Sequence, residues 1–345
     1  MKKMLLLSLF LMIIYPQGSF SGMTYFDYTY DLTKDAANDN GFALKRVYFT
    51  YQQELSEGIS YKFQTDVGQL EVIDWNDNYA QTDGTKKTQY VVYLKNAKID
   101  WNSSIGKITL GLQGMNIFNV IEKTWGFRFL EKSAMDKYGF SSSADMGIGY
   151  SGKLTGNNLH YSFMYTNGSG YKKTENDQYK KLSTQLVYGQ KNLTKKDGLN
   201  LGASFTIEPY DYEDENNNTT TKNKTLMAFY GGFSGYGLRI GGEFDSYQDE
   251  GTNINEQIMA GYINYKLSNK INVLGRVDIY DPWTESVDDE NTTDNNEAKD
   301  NQTNIIAGFN YHPAQGLTIT PNIRMSIPEE GDSSTLFMLN FEFKF

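Results

Sequence analysis

Seven ionisable side chains fall inside one aromatic stretch, "IEKTWGFRFLEKSAMDK": Glu122, Lys123, Arg128, Glu131, Lys132, Asp136 and Lys137. Fixed charges of both signs on one segment can set the field that a passing ion feels. Covalent catalysis asks for something else, a nucleophile beside a positioned base. The chain has no cysteine and two histidines, His160 in "LHYSFMY" and His312 before Pro313. Neither stands beside a serine-and-acid signature, so both read as structural. Gly147-Ile148-Gly149 lies within strand-like sequence rather than at a strand-to-helix turn, which dismisses a nucleotide site. Lack of cysteine excludes thiolate zinc sites and a disulfide framework. A formal net charge of -10 argues against nucleic acid, whose phosphates need a basic face. No cofactor and no metal site are expected.

The elements that position these charges follow a period of two. "LHYSFMY" sets Leu159, Tyr161, Phe163 and Tyr165 against His160, Ser162 and Met164. "INVLGRVDIY" sets Ile271, Val273, Val277 and Ile279 against Asn272, Arg276 and Asp278. "LTITPNIRMS" sets Leu317, Ile319, Ile323 and Met325 against Thr318, Thr320, Asn322 and Arg324. Alternation of this kind argues strands, with one greasy face and one polar face. Mean hydropathy is -0.56, too polar for a bundle of membrane helices. A soluble sandwich also alternates, so the connections decide. Short links at 56–58, 102–105, 155–158, 234–237, 268–270 and 313–316 alternate with long ones at 31–41, 73–88, 115–143, 167–178, 209–224, 247–254, 281–302 and 327–333. One short link, "QKNLTKKDG" at 190–198, is longer than its peers. Eight long loops and seven turns give about sixteen strands of a length that crosses a bilayer at a tilt. The expected fold is all-β: a transmembrane antiparallel β-barrel with an inward-folded third external loop. Two strands, "YVVYLKNAKIDW" and "LMAFYGGF", alternate ambiguously, and Pro321 inside a strand asks for a bulge or local irregularity.

The N-terminus reads as an export signal: a basic start, an apolar run "MLLLSLFLMII", then small residues Ser19 and Ser21 before a cut at Gly22. The expected organisation is a signal at 1–21 and a barrel over 22–345, placed in a bacterial outer membrane. At the other end, "FMLNFEFKF" alternates strictly and stops at Phe345, which has the position of an assembly-signal aromatic.

The segment 115–143 is aromatic rather than Asn/Asp-rich, with Ile117, Val120, Ile121 and Thr124 at helical spacing. Folding it into the barrel shields its apolar side chains and narrows the bore. Here the chain resembles bacterial porins, and in particular the phosphate-selective type, through "GLQGMNIFNVIEKTWGFRFLEKSAMD", "SSADMGIGYSGKL" and "LHYSFMYTNGSGY". The resemblance covers roughly 105–171. It implies a sixteen-stranded channel constricted by its third loop, a homotrimer, and passive diffusion of small hydrophilic solutes or ions. The partners it implies are outer-membrane lipid, lipopolysaccharide and the barrel-assembly machinery.

On the strand phase, the lumen-wall cations include Arg46, Lys62, Lys98, Arg239, Arg276 and Arg324, and the acids Asp66, Asp100, Asp145, Glu243, Asp245 and Asp278. Arg46, Lys62 and Arg324 lie on strands that closure brings near one another, so a basic patch opposite the loop is expected, with an anion lean. The near balance of acids and bases speaks against strict phosphate specificity. Two other classes stay open: a barrel enzyme of phospholipase or protease type, and a sealed adhesin or structural barrel. The acidic external loops could bridge divalent cations, but none carries a calcium-loop pattern.

Overall fold

The computed structural model describes residues 18–34, 36, 40–74, 85–154, 156, 158–282 and 301–345. The apolar run of the expected signal and most of the acidic segment 281–302 lie outside the described residues. Sixteen strands run in chain order: β1 Ser19–Asp31, β2 Gly41–Ser56, β3 Ile59–Asp74, β4 Thr85–Ser103, β5 Gly106–Gly114, β6 Ala144–Lys153, β7 Leu159–Thr166 and β8 Lys181–Gly189. The second half comprises β9 Gly198–Glu213, β10 Thr219–Gly235, β11 Leu238–Asp249, β12 Ile254–Lys266, β13 Ile271–Asp281, β14 Gln302–Ala314, β15 Leu317–Pro328 and β16 Ser334–Lys344. Each pairs with its chain neighbours, and β1 pairs antiparallel with β16, so the sheet closes with no free edge. In lipid that closure is obligatory, because nothing there hydrogen-bonds an open strand. The last rungs are Gly22 N–H to Phe345 O at 3.2 Å and Phe345 N–H to Gly22 O at 3.1 Å. β1 begins three residues before Gly22, where Ser19, Phe20 and Ser21 pair with Gln52, Tyr51 and Thr50.

The period-two phase assigns the two faces as expected. Phe229, Ile279 and Phe343 face outward and are exposed, while Arg276, Asp278, Asn322 and Asn340 face inward. Both ambiguous strands have a physical cause. A bulge against β3 between Gln64 and Thr65 shifts the phase of β4. Tyr90, Val92 and Leu94 point outward before it and Ile99 and Trp101 after it, while Lys95 and Asn96 are both buried inside. In "LMAFYGGF" both faces are apolar: Met227 and Phe229 face out, and Leu226, Ala228 and Tyr230 are buried inward. Pro321 breaks the β14–β15 ladder between the Gly308–Asn322 and Tyr311–Ile319 pairs, while its pairing with Leu339 of β16 persists. In the gap, Thr320 Oγ1 donates to Asn310 Oδ1 at 2.6 Å.

One loop expectation needs correction. The segment 209–224 is mostly strand: β9 and β10 remain paired up to Glu213–Thr219, leaving only 214–218 as the turn. Its Asn/Thr/Asp composition marks water around the hairpin, because an antiparallel ladder satisfies the backbone whatever its side chains are.

Candidate functional site: the lumen and its inserted loop

The segment between β5 and β6 folds into the barrel. It forms α1 (Asn116–Trp125) and the single turn α2 (Ala134–Lys137). Ile117, Val120, Ile121 and Thr124 make one buried stripe at helical spacing. Gly126 ends the helix with a left-handed φ of 82° and donates its N–H to Glu122 O at 2.9 Å. Ile117, Phe118 and Met135 pack on the inward faces of Leu226, Ala228 and Ile258. Trp125, Phe127, Phe129 and Leu130 pack against Tyr262, Leu274 and Ile306. Each such side chain contributes about 1.5–3 kcal/mol on full burial, so apolar contact holds the loop more firmly than any one ion pair does. Close approach depends on Gly232 and Gly241. A Cβ on either would lie 2.4 Å or 2.8 Å from the Thr124 methyl.

Polar contacts fix the register of the loop. Asn116 Nδ2 donates to Ser162 Oγ at 3.0 Å, and its Oδ1 accepts from Ser183 Oγ at 2.6 Å. Three of the arginines expected on the lumen wall grip the loop. Arg239 donates to Trp125 O at 3.1 Å and stacks over Phe127. Arg276, fully buried, pairs with Asp278 at 2.6 Å, donates to Lys132 O at 2.6 Å and stacks 5.0 Å from the Trp125 ring centroid. Arg324 pairs with Glu131 at 3.1 Å and donates to Leu130 O. Strand phase locates these side chains inside the barrel but does not say which wall the loop covers.

The seven loop charges divide by the same contacts. Arg128 bridges Glu122 and Asp136, the latter at 2.7 Å. Ser133 N–H donates to Glu122 Oε1 at 3.1 Å. Lys132 reaches Asp136 at 3.6 Å, and Lys137 turns to the wall, 3.4 Å from Asp278. Among the described residues Lys123 bonds Asn119 of its own helix. Burial tends to raise the Asp136 carboxyl, but Arg128 and Lys132 beside it win, and it is held below its ordinary value of 3.8. A depressed carboxylate contributes fully above its unfolded value and loses that contribution as pH falls through the folded one. Open-channel noise in planar bilayers should therefore stay low from pH 7 to about pH 4 and rise below that. Asp136→Asn should give the noisy trace already at pH 7; a quiet trace from this variant would refute the role.

Every wall acid singled out in the sequence is covered or partnered. Asp66 pairs with Arg46 at 2.8 Å. Asp145 accepts the Gly168 N–H at 2.6 Å and the Met146 N–H at 2.8 Å. Asp100 lies between Lys98 at 2.8 Å and Lys107 at 3.5 Å. Glu243, Asp245 and Asp278 are buried beneath the loop, where Glu243 accepts the Ala134 N–H at 3.0 Å.

Cations hold the open space. On the long-loop side of the insertion, a cavity of about 360 Å³ is lined by Lys45, Arg46, Arg128, Lys132, Lys172 and Arg324. Its two carboxylates are partnered, Asp27 by Lys45 at 3.4 Å and Glu131 by Arg324. On the short-turn side, a cavity of about 180 Å³ is lined by Lys98, Lys107, Lys123 and Lys191, with His160 at its edge. Lys62 lies directly across the β3–β4 ladder from Lys98, while Arg46 and Arg324 line the other cavity, which corrects the expected single patch. Lys107 and Lys191 escaped the sequence reading. Lys107 is in phase with Thr109 and Gln113 of β5, and Lys191 sits in the one overlong turn; those two signals could have found them. His312 bonds Asn272 and Thr318. Among the described residues, no hydrogen bond ties either imidazole to a serine and a carboxylate.

No family model and no curated protein matches the chain. Solved structures do. The chain is similar to OprB of Pseudomonas putida, with a TM-score of 0.68 and 12% identity over 95% of this chain and 94% of that one. OmpF of Salmonella typhi, solved with daunomycin, gives 0.65 and 10% over 96% and 98%. An anion-selective porin from Comamonas acidovorans gives 0.62 and 12% over 95% and 99%. At such identities the likeness establishes the fold: a closed sixteen-stranded barrel of the outer-membrane channel type, matched along nearly the whole chain.

Proposed function

We propose that this protein is an outer-membrane porin through which small hydrophilic solutes diffuse, with a preference for anions. The observation that carries the reading is the sorting of charge. The lumen acids are paired or lie beneath the inserted loop, while cations line the cavities on both of its faces. In a narrow bore walled by low dielectric, such fixed charges govern which ion enters. The net charge of -10 belongs to the chain as a whole and does not describe its passage. A structural neighbour is itself described as an anion-selective porin.

On this reading the short turns face the periplasm and the long loops face outward. The export signal is removed before Gly22, and the barrel sits among outer-membrane lipid and lipopolysaccharide as a homotrimer. A neighbouring barrel, OmpT of Vibrio cholerae, is described in a trimer form. A sealed barrel is the competing reading, since an aromatic loop can plug as well as constrict. The purified protein in a planar bilayer should give discrete, long-lived conductance steps in 1 M KCl; a silent bilayer would favour the sealed barrel.

Assembly supplies a separate expectation. Phe345 is exposed on the outer face, and its ring lies over Gly22, where a Cβ would come within 2.0 Å of it. Deleting Phe345 should lower the amount of folded barrel in the membrane roughly tenfold, the change that a loss of about 1.4 kcal/mol in terminal packing and pairing produces. The barrels that do fold should conduct normally. Wild-type levels of the truncated chain would remove the assembly role.

A further inference from the structure

The barrel wall is low where the inserted loop leaves and rejoins it. β5 ends at Gly114 and β6 begins at Ala144, so the β4–β5 ladder stops at Ala97–Leu112 and Tyr93 and Lys95 of β4 stand above it. The segment after β7 covers that step. Residues 167–172 run from the end of β7 past β6 and β5 to β4, where Tyr171 meets Tyr93. Asn167 N–H donates to Met146 O at 3.0 Å and Gly168 N–H to Asp145 Oδ2 at 2.6 Å, which pins the start of the strap. Gly170, at a left-handed φ of 77°, presses on Ser142, where a Cβ would lie 2.5 Å from the hydroxyl oxygen.

At its far end the strap and the wall exchange a cation for a ring in both directions. The Tyr171 ring covers the buried Lys95 ammonium, 3.6 Å from Nζ to the centroid, and Lys172 of the strap lies 5.0 Å over the Tyr93 ring. The two rings meet edge to face with centroids 6.1 Å apart. A cation is drawn to the negative face of a π-system, most strongly where water is excluded. Lys95 also donates to Ser143 Oγ at 2.6 Å, which ties the same contact to the exit of the inserted loop. Burial pushes the Tyr171 phenol up to about 12, against the pull of Arg46 beside it. Arg46, Tyr93 and Lys172 line the 360 Å³ cavity on the long-loop side, so Tyr171 stands at the rim of that space.

We infer that Tyr171 is a specificity-determining residue, the ring of a second constriction that limits by size the solutes entering from the long-loop side. The inference goes beyond the porin reading and rests on its open lumen. The inserted loop forms the floor of the outer cavity, and the strap narrows its mouth from another anchor. A tyrosine ring suits the task because it is large and turns about two side-chain torsions only. Its seat on Lys95 holds it across the mouth, whereas a free side chain would swing clear.

The chain has no cysteine, so Tyr171→Cys introduces a single addressable thiol. Single-channel conductance of this variant in a planar bilayer should rise roughly twofold as the mouth widens. Neutral polyethylene glycols that the wild-type mouth excludes should enter the variant from the long-loop side. Benzyl methanethiosulfonate, which attaches a ring to the thiol through a disulfide, should return conductance and exclusion to near the wild-type values. Methyl methanethiosulfonate, which attaches only a methylthio group, should leave the channel open. Tyr171→Phe keeps the ring and should match wild type. Heat-modifiable gel mobility reports folding, and Tyr171→Ser is a second opened variant should the cysteine form fail to insert. Wild-type conductance and exclusion in either folded variant, or an opened channel that the benzyl reagent does not narrow again, would overturn the role of Tyr171 while leaving the porin reading in place. A wild-type barrel that never conducts removes that reading and the second constriction with it.

Discussion

Removing residues 116–142 and joining Met115 to Ser143 through a short glycine linker is expected to raise conductance several-fold and to abolish most charge preference. The splice is local, because Met115 N–H already bonds Ser143 O at 3.1 Å. Deletion leaves β1–β16 paired and clears the side chains that fill the bore. It also strips the cover from Glu243, Asp245 and Asp278 while freeing Arg239, Arg276 and Arg324. The uncovered wall is thus balanced, three acids against three bases. In a wider bore at 0.1 M salt, charges farther apart than about 10 Å are screened from one another. Conductance steps and reversal potential of the deletion variant check both effects. Unchanged conductance would mean that the loop does not limit the passage.

The second large effect is expected from Arg276→Ala. This guanidinium is the only cation that contacts Asp278, Lys132 O and the Trp125 face together among the described residues. Breaking a buried pair costs about 3–5 kcal/mol, and Lys137, 3.4 Å from Asp278, offsets part of that cost here. The stripe of α1 keeps its own contacts with Leu226, Ala228 and Ile258, so the helix should remain docked while 127–137 detaches. Limited trypsin digestion of the folded variant should then cut at Arg128 or Lys132, which the wild-type barrel protects, and single-channel traces should become noisy. Replacing both partners, Arg276→Met with Asp278→Asn, should restore much of the protection, because the buried acid is removed with its guanidinium and Lys137, the other partner of Asp278, is only part-buried. Equal resistance of Arg276→Ala and wild type would show that apolar packing alone fixes the loop.

Strand number, closure and the inward phase of Asp278, Asn322 or Glu342 were readable because lipid imposes one apolar face on every strand, and period two exposes it. The same rule blurred where the lumen face is apolar too. Leu226, Ala228 and Tyr230 face inward against the loop, so "LMAFYGGF" lost its alternation where the loop docks. That loss was itself a signal of the docking wall. The helix within 115–143 showed through its spacing, whereas the partners of Arg239, Arg276 and Arg324 did not, since pairing across the lumen depends on the path of the loop and leaves no period in the chain. Lys95 was hidden by the β-bulge at Gln64–Thr65, and Lys191 by a turn whose length was visible but whose inward fold depends on Leu193 finding Gly232.

On the proposed reading, charge sorting around the loop, rather than net charge, decides what passes. The reversal potential of a wild-type channel under a tenfold KCl gradient across a planar bilayer reads that preference. The two basic cavities predict a potential of the sign given by chloride outrunning potassium, shrinking as total salt rises and screening shortens. A potential of the opposite sign, or one that does not respond to ionic strength, would contradict the account.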